Sequence, residues 1–386
     1  MAESIVTKSF RFRIFPSKAQ TTKLENTLYL CRDLYNASLQ ERRDSWKINR
    51  ISLNYYDQAN QLKEIKETNP EYLNVHSQVS QDVLKRVDKA FQAFFRRVKS
   101  KQGKAGFPRF QNKQRYNSFT FTQSGFSLSD NRLTVSKIGK VKIKLHRAIV
   151  GKVKTLTISR DSCGKWFACF SIETTKEILE PTGNVVGIDC GLAIFAKMSD
   201  ETEVDNPRFF REFEKRLTKA QRKLSAQVKG SKERHRKRQV VAKIHAKIRN
   251  KRSNFTHELS RFLVNSYDVI VFEKLKVLNM VKNHCLAKSI SDASWNQVIE
   301  QTRYKAENTG RKFVQIPAAY TSATCRICGH CEKANRQSQA VFECLKCGHV
   351  ENADANASKN ILRLGLESLG IQSLEATSKR FGLVVE

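Results

Sequence analysis

Residues 8–15, KSFRFRIF, alternate Phe10, Phe12 and Ile14 with Arg11 and Arg13, the period of a half-buried strand with a basic outer face. Pro16 stops it. Ser17 and Gln20 then form a capping box ahead of Leu24, Leu28, Cys31, Tyr35 and Leu39 at helical spacing. The pattern predicts further helices near 54–67 and 76–100, the latter with Val79, Val83, Val87, Phe91, Phe94, Phe95 and Val98 on one side. Gly103, Gly106 and Pro108 break the helical period. Beyond them NSFTFTQ, RLTVSKI, KVKIKL, KTLTISRD and KWFACFSIE all repeat every two residues, which predicts five strands separated by turns. An opening strand, a helical insert and five strands together predict a small β-barrel interrupted by a helical bundle.

EPTGN at 180–184 reads as a linker, and VVGIDCGLAIFAKMS (185–199) as a buried strand, a turn and a second strand. Residues 210–267 read as almost entirely helical. YDVIVFEKL is then a short buried strand, 292–308 an amphipathic helix closed by Gly310, and RKFVQIP another strand. A last helix is expected over about 355–364, with Gly365 placed to end it. The tail beyond LESLGIQ is weakly patterned. The expected fold class is α/β and multidomain.

Charge narrows the function. The 386 residues hold 70 Lys plus Arg against 37 Asp plus Glu, a formal charge of +33. With 40% apolar residues the chain is globular, and so large a basic excess points to a polyanion, nucleic acid by default. An anionic membrane surface is the competing partner. However, no run of eighteen apolar residues occurs, and MAESIVTKSFRFRIF lacks an apolar signal core, so no membrane role is expected. Seventeen Lys and Arg fall between Arg211 and Arg252, interrupted only by Glu212, Glu214 and Glu233. Pairing cannot neutralise this run, which therefore suits tracking of phosphates. A second basic tract carries Phe107, Phe110, Tyr116 and Phe119, equally suited to stacking on bases and to a barrel core.

Cysteines supply the sharpest local signal. Cys325 and Cys328 form one C-x2-C knuckle and Cys344 and Cys347 a second, each followed by a glycine, Gly329 and Gly348. Four thiolates at this spacing suit one tetrahedral Zn²⁺ with bonds of ~2.3 Å. Two disulfides are the competing reading. Cys331 is a spare thiol on the loop between them, able to substitute for Cys328. Cys31, Cys163, Cys169, Cys190 and Cys285 are scattered without a framework, as in a reducing compartment, hence the cytoplasm.

Three acids stand out in so basic a chain. Asp189 and Glu273 each end a buried strand, and Asp354 lies where the cysteine-rich segment enters the last helix. Singly they read as a turn former, a strand-end charge and an N-cap. Together, carboxylates at two strand ends and a helix start can converge to hold two Mg²⁺ ions about 3.5–4 Å apart for in-line phosphodiester displacement. That order, with a Gly-Ile-Asp turn, is the one an RNase H-like fold of the RuvC type would use.

The segments VVGIDCGLAIFAKMSD, VIVFEKLKVLNMVKN, LAKSISDASWNQ, YKAENTGRKFVQIPAAYTSATCRICG and ENADANASKNIL, with FRFRIFPSKAQTTKLENTLYLCRDLYNASLQERR near the start, resemble the TnpB family. These are transposon-encoded RNA-guided nucleases related to type V CRISPR effectors. The resemblance spans roughly residues 5–366. It implies a wedge-like barrel over 1–182 with a helical recognition insert at about 17–104. A RuvC nuclease domain over 183–366 would follow, with a zinc ribbon at 320–350, then a tail at 367–386. The family's catalytic acids fall on Asp189, Glu273 and Asp354, and its zinc cysteines on Cys325, Cys328, Cys344 and Cys347. The implied activity is RNA-guided cleavage of double-stranded DNA by Mg²⁺-dependent hydrolysis, one protein per guide RNA, in the cytoplasm at the nucleoid. A nuclease-inactive nucleic-acid-binding regulator would be expected to have lost an acid, and none is lost. A transposase processing element ends directly would use the same metal chemistry. One departure is Ala340, where many relatives carry an arginine; Arg336 is the nearest replacement.

Overall fold

The structure is a computed structural model and describes residues 5–101 and 105–371. Gly103 and most of the tail lie outside those residues. The chain divides into two compact units, Met1–Thr175 and Lys176–Glu386.

In the first unit β1 (Ile5–Phe15) leads into α1 (Lys18–Asn49), with the Ser17–Gln20 capping box formed as expected. α2 (Tyr55–Asn60), α3 (Leu62–Thr68), a 3₁₀ turn at Pro70–Asn74 and α4 (Ser77–Ser100) complete the helical insert. The single helix expected near 54–67 is thus two, parted at Gln61. Six strands follow: β2 (Ser118–Phe121), β3 (Phe126–Ser129), β4 (Arg132–Val135), β5 (Gly139–Lys144), β6 (Lys152–Arg160) and β7 (Trp166–Thr175). β3 lies outside the five expected strands, although Phe126 and Leu128 alternate with Ser127 and Ser129; it is one short run of four residues between the bend at 122–125 and the turn at 130–131. The sheet order is β2-β6-β7-β1-β5-β4-β3, antiparallel throughout. Its two edge strands are joined by only four residues, and the Phe121 and Phe126 rings lie 6.3 Å apart across that join, so the sheet rolls into a nearly closed barrel. Phe12, Phe119, Phe121 and Phe170 fill it. Arg86 ties the insert to the barrel, reaching Asp82 on its own helix and the Ser118 carbonyl and Thr120 hydroxyl on β2. Of the four aromatics on the second basic tract, Tyr116 and Phe119 are core, whereas Phe107 and Phe110 are exposed.

The second unit is built on β8 (Val185–Asp189), β9 (Ile194–Met198), β10 (Glu203–Asp205), β11 (Val269–Lys274) and β12 (Lys312–Pro317). Their order is β10-β9-β8-β11-β12, the first three antiparallel and the last three parallel. A parallel centre must be covered on both faces. Val186, Ile188, Ile270 and Phe272 meet one face's helices, α6 (Lys232–Ser266) and α9 (Trp295–Thr309); Val269 and Val271 meet α10 (Ala353–Ser368) on the other. The expected long helix breaks at residues 226–231 into α5 (Phe209–Ser225) and α6, because Gly230 and Ser231 supply a left-handed turn and a new N-cap. This hairpin has a small core of its own in Phe213, Leu217, Ile244 and Ile248. α7 (Val277–Met280) and α8 (Ala287–Ala293) bridge β11 to α9, and β13 (Val341–Glu343) pairs with β14 (Val350–Asn352) in the cysteine-rich segment.

Two features set the strands level. Asp268, buried before β11, pairs with Arg311 before β12 and also accepts from the Thr182 and Gly183 amides before β8. The stretch read as a linker is therefore pinned to the sheet. Gly365, expected to end the last helix, lies inside it. A Cβ there would meet Val271 Cγ2 at 2.4 Å, and one on Gly187 would meet the Ser358 carbonyl at 2.3 Å. Both glycines serve the close approach of α10 to the sheet. No helix among the described residues is long and apolar enough to cross a membrane.

Candidate active site

Ile188 on β8 sits opposite Phe272 on β11 in parallel register. Asp189 and Glu273 come one step later, side by side where parallel strands end and α/β sheets leave a crevice. α10 supplies the third acid. Its N-cap is Asn352, whose side chain accepts from the Asp354 and Ala355 amides at 3.0 and 3.1 Å. Asp354 is thus in the first turn with its carboxylate released from capping. The three acids, Thr321, Arg336 and Gln339 line one cavity of about 210 Å³.

The acids repel one another. Burial pushes the Asp189 carboxyl up, the charges of Glu273 and Asp354 push it further, and it reaches about 7 despite Arg336 and the Cys190 amide. Asp189 retains some accessible surface, and the cavity wall it belongs to is mostly half-buried. Glu273 is also raised by burial, opposed by the Thr321 hydroxyl donating to its Oε1 at 3.1 Å. Arg336 Nη2 donates to Asp354 Oδ1 at 2.9 Å and to the Gln339 carbonyl at 3.1 Å. Arg336, the cation nearest Ala340 in sequence, therefore contacts Asp354. Hard carboxylate oxygens carrying uncompensated negative charge are the donor set a Mg²⁺ ion takes.

The cysteine site is of a different kind. Cys325 Sγ lies 3.7 Å from Cys347 Sγ, and Cys328 Sγ lies 3.5 Å from Cys344 Sγ. A tetrahedron with ~2.3 Å bonds has edges of about 3.8 Å, whereas a disulfide would need about 2.05 Å. All four sulfurs lie within 4.8 Å of one another, so they could hold a metal such as zinc. Their knuckles match atom for atom: Gly329 and Gly348 amides return to the Cys325 and Cys344 carbonyls, and the Cys325 and Cys344 amides reach the His330 and His349 carbonyls. Both glycines take left-handed φ, 73° and 67°. Cys331 is exposed and outside the cluster.

What joins the two sites went unnoticed in the sequence. Asn356 bridges the Arg326 amide and the Thr324 carbonyl, and Asn360 holds the Thr321 and Thr324 carbonyls, all from α10. Asparagine is a poor helix former, so two of them four residues apart inside a helix were the available signal. Glu351 adds Arg326 and Lys359 at 2.5 and 2.6 Å. These partners overcome its burial and draw its carboxyl down to about 2.

The family described as "Probable transposase" (OrfB_IS605) matches residues 169–284, "Cas12f1-like, TNB domain" matches 295–361, and "Helix-turn-helix domain" matches 1–50. Here the last of these is a strand and one helix. "Putative RNA-guided DNA endonuclease InsQ" of Escherichia coli K12 is 32% identical over 380 residues, 93% of this chain and 92% of that protein. The chain belongs to the TnpB family. A second relative, from Streptomyces pristinaespiralis and also named an RNA-guided DNA endonuclease, is 33% identical over 372 residues, 94% and 90% of the two chains. Among solved structures, Cas12f1 from its complex with sgRNA and target DNA superposes with a TM-score of 0.58 at 12% identity, covering 92% of this chain and 98% of that one. At that identity the likeness is one of fold, and it embraces both units of this TnpB-family protein.

Proposed function

We propose that the protein is a transposon-encoded, RNA-guided DNA endonuclease that cuts phosphodiester bonds at Asp189, Glu273 and Asp354. The observation that carries this reading is the convergence of these carboxylates, from two parallel strand ends and a facing helix, in one recess with Arg336. Three antiparallel strands continued by two parallel ones, order β10-β9-β8-β11-β12, support an RNase H-like domain of the RuvC type over 183–366. The barrel over 1–182 would be the wedge, and the helical insert would read DNA beside the target. Guide RNA and double-stranded target DNA are the partners that the relatives' names and the net charge of +33 support.

The chain's own residues would work as follows. Asp189, Glu273 and Asp354 would hold two Mg²⁺ ions, which when bound activate a water and stabilise the departing 3′ oxygen. Thr321 fixes the Glu273 carboxylate by its hydrogen bond. Arg336 exchanges its contact with Asp354 for the scissile phosphate, a charge-assisted hydrogen bond suited to guanidinium. The four cysteines hold Zn²⁺, and through Asn356 and Asn360 this ribbon keeps α10, and so Asp354, in place.

The test is reprogramming. The protein purified with its RNA should cut DNA where that RNA pairs, leave 5′-phosphate and 3′-hydroxyl ends, and follow a changed guide to a new site. Asp189→Ala, Glu273→Ala and Asp354→Ala should each abolish cutting while RNA stays bound. Cutting that ignores the guide would reject the reading.

A further inference from the structure

The acidic recess does not end at its own walls. Ala193 and Gln339 line both it and a larger cavity of about 590 Å³, which Lys288 and Asp292 in turn share with a third of about 400 Å³. The larger cavity is basic. Arg208, Arg211 and Lys288 line it, and its one acid, Asp292, is buried and spent on the Phe210 amide at 2.8 Å and on Arg252 at 2.6 Å. Asp292 thus binds the start of α5, the middle of α6 and α8 into one rigid wall.

The cations differ from the rest of the charge run in where they stand. Arg208 has left-handed backbone, φ 46°, a conformation that non-glycine residues adopt at a cost, and among the described residues no hydrogen bond or ion pair engages its guanidinium. Lys288 and Arg211 share a single acid, Glu214, at 2.6 and 3.5 Å, and both keep about half or more of their side chains exposed. Lys288 also lies 5.8 Å from the Phe210 ring centroid. Three cations against one shared acid, in a cavity that adjoins the acidic recess through Ala193 and Gln339, leave a net positive charge that suits phosphates.

We propose that this recess seats the strand being cut: Arg208, Arg211 and Lys288 hold successive phosphates of a single nucleic-acid strand beside the scissile bond, a role separate from guide-duplex binding by the rest of the 211–252 run. A volume of about 590 Å³ is that of a small-molecule pocket and takes a nucleotide or two of one strand but no duplex. The inference rests on the nuclease reading for the location of the scissile bond.

The experiment uses RNA-loaded full-length protein carrying Asp354→Asn, so that the strand stays whole, and a fluorescent DNA oligonucleotide single strand. Arg208→Ala/Arg211→Ala/Lys288→Ala should weaken single-strand binding by about tenfold or more, and reduce the slope of log affinity against log salt by about 2, since each phosphate contact in a single strand contributes about 0.7. Guide RNA binding should stay within about twofold, which also reports correct folding, and Arg208→Lys/Arg211→Lys/Lys288→Arg should retain the affinity. With Asp354 restored, single-turnover cleavage should fall in the alanine variant and recover in the conservative one. Unchanged affinity and salt slope in the alanine variant overturn the proposal. A protein that binds the strand through these residues and never cuts it leaves the recess standing and removes the nuclease reading instead.

Discussion

The cysteine cluster and the acidic cluster gather ligands in opposite ways. Each cysteine pair is placed by its own tight turn, with a glycine at positive φ and two backbone hydrogen bonds, and the two knuckles need only meet. The four sulfurs accordingly lie within 4.8 Å of one another; among the described residues no other group of three or more Cys, His, Asp and Glu does, the three carboxylates included. The acids come from three elements, 84 and 81 residues apart in sequence, and they repel. The cysteine cluster keeps part of its protons until metal arrives, Cys347 with its thiol pushed up to about 12 beside Cys344 drawn down to about 6, so its approach costs less than that of packed carboxylates, which raise one another in the empty fold. The lesson is that a four-sulfur cluster can be assembled locally, while a carboxylate cluster such as the proposed catalytic one is held together against repulsion by a scaffold.

The sharpest break is Cys344→Ser. It should abolish zinc retention and unfold the ribbon, since metal binding and folding of such a site are coupled by roughly 10 kcal/mol or more. DNA cleavage should vanish with it because Asp354 loses its mooring; stoichiometric zinc in the variant by elemental analysis would contradict the assignment.

Gly365→Ala attacks the scaffold alone. The added Cβ meets Val271, so it should cost the second unit about 1–3 kcal/mol of unfolding free energy, read as a lower denaturation midpoint, and slow cleavage. Zinc content should not change, which separates the two sites.

Asp189→Asn probes the strain directly. The folded pKa of Asp189, about 7, lies above its unfolded value, so the wild type loses stability as pH rises from about 4 to 7. Metal-free Asp189→Asn should therefore be more stable than wild type at pH 8, by on the order of 4 kcal/mol, with the gain fading toward pH 4. Divalent-ion binding to wild type should tighten up to about pH 7 and release a proton. Equal melting curves at pH 8 would show the cluster to be unstrained.

Thr321→Val is the mildest test. It removes the hydroxyl that steadies Glu273 and should weaken divalent-ion binding about tenfold by calorimetry while leaving zinc untouched.

Much of this was legible along the chain. Local rules governed the capping box at Ser17, the period-two strands of the barrel, the helix end at Gly310 and the paired knuckles, because each depends on residues within a few positions of one another. The knuckle spacing by itself determined a four-sulfur site. The acids could be nominated as strand ends, and Arg336 named as the nearest cation, but nothing local showed that these meet. Only tertiary structure decided that β8 and β11 run parallel with Asp189 level with Glu273, that Gly365 is a contact with Val271 rather than a stop, and that Asn356 and Asn360 lock helix to ribbon. It also decided that Arg208 and Lys288, 80 residues apart in sequence, share one basic recess. The reason is physical: turn geometry and periodicity are short-range, whereas register, close approach and the sum of charges in a cavity belong to segments that the chain itself keeps far apart.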